Sequence, residues 1–115
     1  MNQRDRIMER SRIRNLIRLG NMHKNVLRWS SNETDAHIEM KFKICKYLRK
    51  QKIEFYTEAI FKTGLRADIL NVDEGVVYEV VNSEKETSIQ KKREYYPLPI
   101  IFINANQEFN ELLIT

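Results

Sequence analysis

Residues 65–84, LRADILNVDEGVVYEVVNSE, carry two carboxylates, Asp68 and Glu79, inside runs that otherwise read as apolar strands, and nothing else in the chain constrains its fold as much. Moving a carboxylate out of water without a partner costs several kcal/mol even after relaxation, which is comparable to the whole stability of a small domain. Each acid must therefore meet a cation or a set of hydrogen-bond donors, and a metal ion is one such cation. The runs 67–72 and 76–81 are rich in strand formers and Asp73-Glu74-Gly75 has turn chemistry, so the stretch is expected to form a hairpin. Residues directly opposite in an antiparallel pair share a face. Asp68 and Glu79 converge only if the loop has an even number of residues, such as Glu74-Gly75 or 73–76; a three-residue loop separates them unless a bulge intervenes.

A chain of 115 residues, 42% hydrophobic and 31% charged, is long enough to bury one core around such a hairpin, and disorder is not expected. Cys45 is the sole cysteine, which excludes an internal disulfide framework and a cysteine zinc site, and His23 and His37 are too few for a histidine-rich centre. No apolar run approaches the roughly 20 residues of a membrane span and none resembles a secretory leader, so an intracellular, cytoplasmic protein without a membrane partner is expected. The net charge of +4 is uneven: residues 1–29 hold eight Lys/Arg against Asp5 and Glu9, leaving the remainder slightly acidic. That asymmetry suggests a polyanion partner, nucleic acid first and an anionic membrane surface second.

Taken in order, residues 4–19 have helical spacing, with Met8, Ile13, Leu16, Ile17 and Leu19 on one broad face. Arg10, Arg14 and Arg18 form an i, i+4, i+8 stripe on the other, either a solvated face on a packed helix or a phosphate-contacting arm. Gly20-Asn21 ends this helix. Residues 22–31 read equally as a helical turn or an extended connector. A second helix is expected over 34–51, with apolar stripes Ile38, Phe42, Cys45 and Ala36, Met40, Ile44, Tyr47 packing against both the sheet and the first helix. Glu39 shares its remaining face with Lys43, Lys46 and Lys50, and Glu39 with Lys43 has the spacing of an exposed ion pair worth a few tenths of a kcal/mol. His37 and Cys45 fall among the apolar positions and read as core residues. A strand over 53–61 precedes the hairpin. Ser83 to Glu86 has capping-box spacing and opens a polar helix to about Glu94, anchored by Ile89 and Tyr96 or its neighbour and stopped by Pro97 and Pro99. The apolar run 98–103 is a buried strand, reached by helical crossover and so parallel to the third. Asn104 is expected to cap a last helix carrying Phe109, Leu112 and Leu113.

The order helix, three antiparallel strands, crossover helix, parallel strand, helix, with Asp68 and Glu79 on the second and third strands, resembles the core of the PD-(D/E)XK nuclease superfamily, the restriction-endonuclease-like α/β fold, over about residues 33–105. Arg66-Ala67-Asp68-Ile69-Leu70 looks like that family's acidic motif, Glu79-Val80-Val81 occupies its E-x-K position, and Glu39 looks like the accessory acid of the preceding helix. In size the chain is similar to small archaeal and archaeal-virus nucleases and Holliday junction resolvases. The resemblance implies one domain over 1–115, made of a basic helix and connector (1–32) and a nuclease-like core (33–115). It implies a Mg²⁺ site on Asp68, Glu79 and Glu39 in which Mn²⁺ substitutes, DNA contacts from Arg10, Arg14, Arg18, Lys43 and Lys91, a second copy as partner, and hydrolysis of phosphodiester bonds, including those of branched or junction DNA. Carboxylates on adjacent strands suit hard divalent cations, whose bound water becomes a nucleophile.

The chain departs from the pattern at Val81, where the family has a lysine. Members with the cation on the following helix are known, and Lys92, Lys91 and Lys85 lie on or near such a helix here. Lys92 is favoured, because it stands four residues before Tyr96 on the same face and a buried tyrosine ring fixes the helix orientation. Three readings follow: a Mg²⁺-dependent endonuclease; a catalytically impaired nuclease-fold protein that binds nucleic acid without cutting; and a structural or partner-binding domain with an incidental basic helix, in which Arg66 pairs with Asp68 or Glu79.

Overall fold

The computed structural model describes residues 2–18, 20, 23–82 and 86–115, of Glu86 the backbone alone. Its centre is the hairpin: β2 (Arg66–Asn71) and β3 (Val76–Val81) pair antiparallel, β1 (Phe55–Ile60) lies antiparallel to β2, and β4 (Ile100–Asn104) lies parallel to β3, in the order β1-β2-β3-β4. The loop between β2 and β3 has four residues, 72–75, closed by the Gly75 N–H on the Asn71 carbonyl at 2.9 Å. Glycine is required there twice over. Its φ is +64°, and an added Cβ would lie 2.9 Å from Ile13 Cδ1.

Helix α1 (Gln3–Arg14) is capped by Asn2, whose side chain accepts the Asp5 N–H. It stops at Arg14 instead of reaching residue 19. Ile17 instead forms an antiparallel bridge with Phe61, and the Arg18 N–H reaches the Ile60 carbonyl at 2.8 Å, extending the sheet beyond β1. The outer edge of β1 offers unpaired backbone groups, and Ile17 there is 1% exposed. Burying that side chain is worth about 2 kcal/mol, more than the few tenths per residue gained by continuing a helix. Lys24 and Asn25 form a turn, Asn25 at φ +58°, and residues 26–30 run on without regular structure, so of the two readings left open the connector holds and the helical turn does not. Of the signal Gly20-Asn21, Asn21 lies outside the described residues, as does the capping box apart from the Glu86 backbone.

Helix α2 (Asp35–Lys50) begins after Thr34, whose hydroxyl accepts the His37 N–H, and ends at Gln51. It packs Met40, Ile44, Cys45 and Leu48 against Ile69, Tyr78, Val80 and Ile103 on one face of the sheet. The other face carries Ile13 and Ile17, with Tyr96 and Leu98 from the end of the crossover, against Ala67, Leu70 and Val77. The sheet thus separates α1 from α2, and the expected packing of α2 on the first helix is replaced by two separate cores. The crossover is α3 (Glu86–Tyr95), held on the α1 side where Arg93 lies over the Phe102 ring.

The expected C-terminal helix is reduced to a 3₁₀ turn, Glu111–Leu113, capped by Asn110. Asn104 is the last residue of β4 and closes a tight turn by accepting the Asn106 N–H. The tail is too short for a stable isolated helix, and its apolar anchor is Ile114, at 3% exposure, while Leu112 points to solvent. No helix among the described residues is long and apolar enough to cross a membrane.

Candidate metal centre

The β2–β3 pairing runs Asn71↔Val76, Leu70↔Val77, Ile69↔Tyr78 and stops. One step on, Asp68 stands opposite Glu79, and side chains take over from the backbone ladder. The Asp68 N–H donates to Glu79 Oε2 and the Val80 N–H donates to Asp68 Oδ2, both at 2.8 Å. Each carboxylate is fixed by the other's strand, so two acids are brought together, Glu79 buried and Asp68 partly so. Burial, then the neighbouring Asp68 charge, push Glu79 up to about 8. Burial also opposes ionisation of Asp68, but the His37 hydrogen bond and the Val80 N–H outweigh it and hold Asp68 below the usual carboxylate range.

On the α3 side the Tyr96 hydroxyl lies 2.7 Å from Glu79 Oε1 and 2.7 Å from the Arg66 carbonyl. One hydroxyl proton cannot serve both oxygens, and a proton resident on Glu79 makes good the shortage. Lys92 Nζ stands 3.8 Å from the same Oε1. Buried Tyr96 thus fixes the helix face that carries Lys92, as its four-residue spacing implies.

On the α2 side His37 Nε2 lies 3.3 Å from Asp68 Oδ2, and His37 Nδ1 lies 3.5 Å from Glu33 Oε2. Asp68 raises the His37 pKa chiefly through that contact, against burial. Glu33 Oε2 and His37 Nδ1 are buried and without a hydrogen-bond partner. They meet only as an ion pair at 3.5 Å, so Glu33 Oε2 and, once deprotonated, His37 Nδ1 have lone pairs that a cation between them would use. Behind them Lys41, 0% exposed, holds Glu33 Oε1 at 3.0 Å, Glu58 Oε1 at 3.2 Å and the Arg28 carbonyl at 2.8 Å. Glu58 stands opposite Asp68 in the β1–β2 register, in a left-handed conformation with φ +52°. Burial and a hydrogen bond with Glu33 raise its pKa against the pull of Lys41. Arg66 Nε meets Glu58 Oε2 at 3.2 Å, so Arg66 pairs on β1 and not with Asp68 or Glu79.

Glu33, His37 and Asp68 each offer one ligand atom within 4.8 Å of the others. The set fits a divalent cation: carboxylate oxygens suit Mg²⁺ and Mn²⁺, and an imidazole nitrogen shifts the preference toward Mn²⁺ or another transition ion.

Of the residues expected from sequence, Asp68, Glu79 and Lys92 come together. Glu39 does not join them. It is 69% exposed with Lys43 Nζ at 3.9 Å, and two residues from His37 it projects from nearly the opposite side of α2. Lys43 and Lys91 are exposed. Arg10 is bound through both nitrogens to Asp73, at 2.7 and 3.0 Å, and Arg14 to Glu54, at 2.6 Å on Oε2 and again on Oε1. These two arginines clamp α1 to the sheet, and the exposed Arg18 is left as the stripe's outward member. Lys85 lies outside the described residues. Sequence reasoning passed over Glu33, Lys41 and Glu58 and took His37 for core. The four-residue spacing of His37 and Lys41 on one helix face, with Glu33 four residues earlier just ahead of the Thr34 cap, was the available signal.

No family model, no curated protein and no solved structure matches the chain.

Proposed function

We propose that this protein is a divalent-metal-dependent DNA endonuclease of the PD-(D/E)XK type that hydrolyses phosphodiester bonds. The observation that carries the reading is the cross-strand pair Asp68–Glu79 with Lys92 3.8 Å from Glu79, a cation brought by the crossover helix to a site whose strand has Val81 where the family has lysine. Asp68, with His37 and Glu33 in place of Glu39, would hold the cation, and Glu79 beside Asp68 would join them once ionised. When bound, Mg²⁺ or Mn²⁺ stabilises charge on a phosphoryl oxygen and acidifies a water. Tyr96 orients Glu79 and takes part in holding its proton until the acid ionises. Lys92 offsets the charge that develops on the phosphoryl group. A second copy of the chain belongs to the same proposal, since a symmetric DNA junction offers two equivalent strands.

Val81 favours one other reading, that of a protein which binds nucleic acid without cutting. Labelled linear, nicked and four-way DNA incubated with Mg²⁺ or Mn²⁺ separates the two. The nuclease reading expects cleavage of at least one substrate, abolished by chelator; intact DNA throughout, with binding retained, selects the other.

A further inference from the structure

Beside the acid site opens a cavity of about 520 Å³, lined by Arg18, Arg28, Trp29, Thr57, Glu58 and Arg66 among others. Its volume suits a nucleotide-sized ligand better than a lone ion. Three guanidinium-bearing side chains border it. Its one carboxylate, Glu58, already faces Lys41 and Arg66.

Trp29, the single tryptophan of the chain, is 56% exposed at this cavity. Its exposure is not that of a loose loop. The Thr57 hydroxyl donates to the Val26 carbonyl at 2.7 Å and accepts the Arg28 N–H at 2.8 Å, and the Arg28 carbonyl accepts from buried Lys41. Upstream, Asn25 and Phe55 exchange two hydrogen bonds, the Asn25 N–H to the Phe55 carbonyl and the Phe55 N–H to Asn25 Oδ1. The connector is thus pinned to β1 on both sides of Val26, and Arg18 is pinned through its N–H to Ile60. A large aromatic face held toward water on anchored backbone, ringed by arginines, is a stacking platform whose ordering cost is met in advance.

We propose that this cavity binds single-stranded DNA, one base stacking on Trp29 and the flanking phosphates paired with Arg18, Arg28 and Arg66. Glu58 lines the cavity and stands opposite Asp68, so a strand lying there leads toward the acid pair. The choice of DNA among phosphate ligands rests on the nuclease reading; the platform does not.

The emission of Trp29 reports the stack directly. The full chain is titrated in EDTA with an oligothymidylate of about 12 nucleotides, within the site sizes of single-strand binders, with the same length of duplex and inorganic phosphate as comparisons. Saturable quenching is expected with the single strand and much less with the duplex. Trp29→Ala should weaken binding about tenfold or more by anisotropy of a labelled oligonucleotide, and Trp29→Phe should recover most of it. Arg18→Gln with Arg28→Gln should lower the slope of log K on log[salt] by about 0.7 for each phosphate left without its arginine. Binding with Trp29 emission unchanged, equal quenching by duplex or by phosphate alone, or no binding at all would overturn the proposal. Because no metal is present, a failure to cleave DNA in the other assay overturns the nuclease reading without touching this one.

Discussion

Arg14 and Glu54 close on each other through two hydrogen bonds and leave neither charge wanting. Asp68 and Glu79, by contrast, close on each other's backbone: burial and the Asp68 charge push Glu79 up to about 8, and the buried Glu33 Oε2 and His37 Nδ1 meet only through a 3.5 Å ion pair that is not a hydrogen bond. Both regions bury carboxylates in the same small domain, one beside α1 and the other beside α2. The difference teaches how to tell a fastening from a site. Where every donor meets its acceptor at hydrogen-bond distance the charges are a fastening; where buried donor atoms meet only through longer contacts, they are available to an added cation.

That contrast is sharpened first by stability. Arg14→Ala leaves Glu54, whose side chain is 2% exposed, without its hydrogen-bonded partner and with Lys24 at 3.8 Å and the more distant charge of Arg10 in its place, and should cost on the order of 3 kcal/mol in chemical denaturation. Asp68→Asn, made without metal, should cost less, because the amide oxygen still accepts the Val80 N–H and the loss is confined to the partly exposed attraction to His37. Equal losses from the two would erase the distinction.

The next largest effect is on rate. Lys92→Ala should slow cleavage about a hundredfold, about 2.7 kcal/mol of transition-state stabilisation, with metal affinity nearly unchanged. Val81→Lys should add little, since the site already has its cation. If cleavage survives Lys92→Ala undiminished, the cation has been assigned to the wrong residue.

A smaller effect is legible in pH. Glu79 titrates at about 8 in the folded protein against 4.5 ordinarily, so the native state keeps a proton that the unfolded chain releases. Stability of the metal-free protein should therefore fall as pH rises from about 4.5 to 8, by up to about 1.4 kcal/mol per unit. His37, raised above 6.5, acts in the same direction, its contribution being lost as pH rises through its folded value. Asp68 is depressed below 3.8, and its contribution is lost only in acid, outside this window. Glu79→Gln should flatten the profile and leave only the His37 part. An unchanged slope would show that Glu79 carries no such proton.

Much of this was legible in the chain. The hairpin followed from alternation and the Asp73-Glu74-Gly75 turn, α2 from the Thr34 cap, and Lys92 from its spacing to Tyr96, because each signal is local; the parity of the hairpin waited on its loop, which at 72–75 is even but centred one residue earlier than the loops the turn chemistry suggested. The early end of α1 was not, since what stops it is the free edge of β1, more than 40 residues away in sequence. Nor was the role of Arg10 and Arg14: a helical stripe looks the same whether acids or water face it, and Asp73 and Glu54 come from distant turns. The half of the site from α2 was hidden because helix spacing places His37 and Lys41 on one face without saying which sheet face it meets, and Glu33 lies ahead of the Thr34 cap, outside the helix. Glu39 was chosen from the same helix, and its rotation away from His37 explains why it stays with Lys43.

The central claim is that Asp68 lies at a divalent-cation site completed from α2, and calorimetric titration with Mn²⁺ tests it most directly. The wild-type chain should bind, Asp68→Ala should abolish binding with the fold intact, His37→Ala should weaken it at least tenfold, and Glu39→Gln should leave it unchanged. Undiminished Mn²⁺ binding by Asp68→Ala, or none by the wild type, would contradict the account.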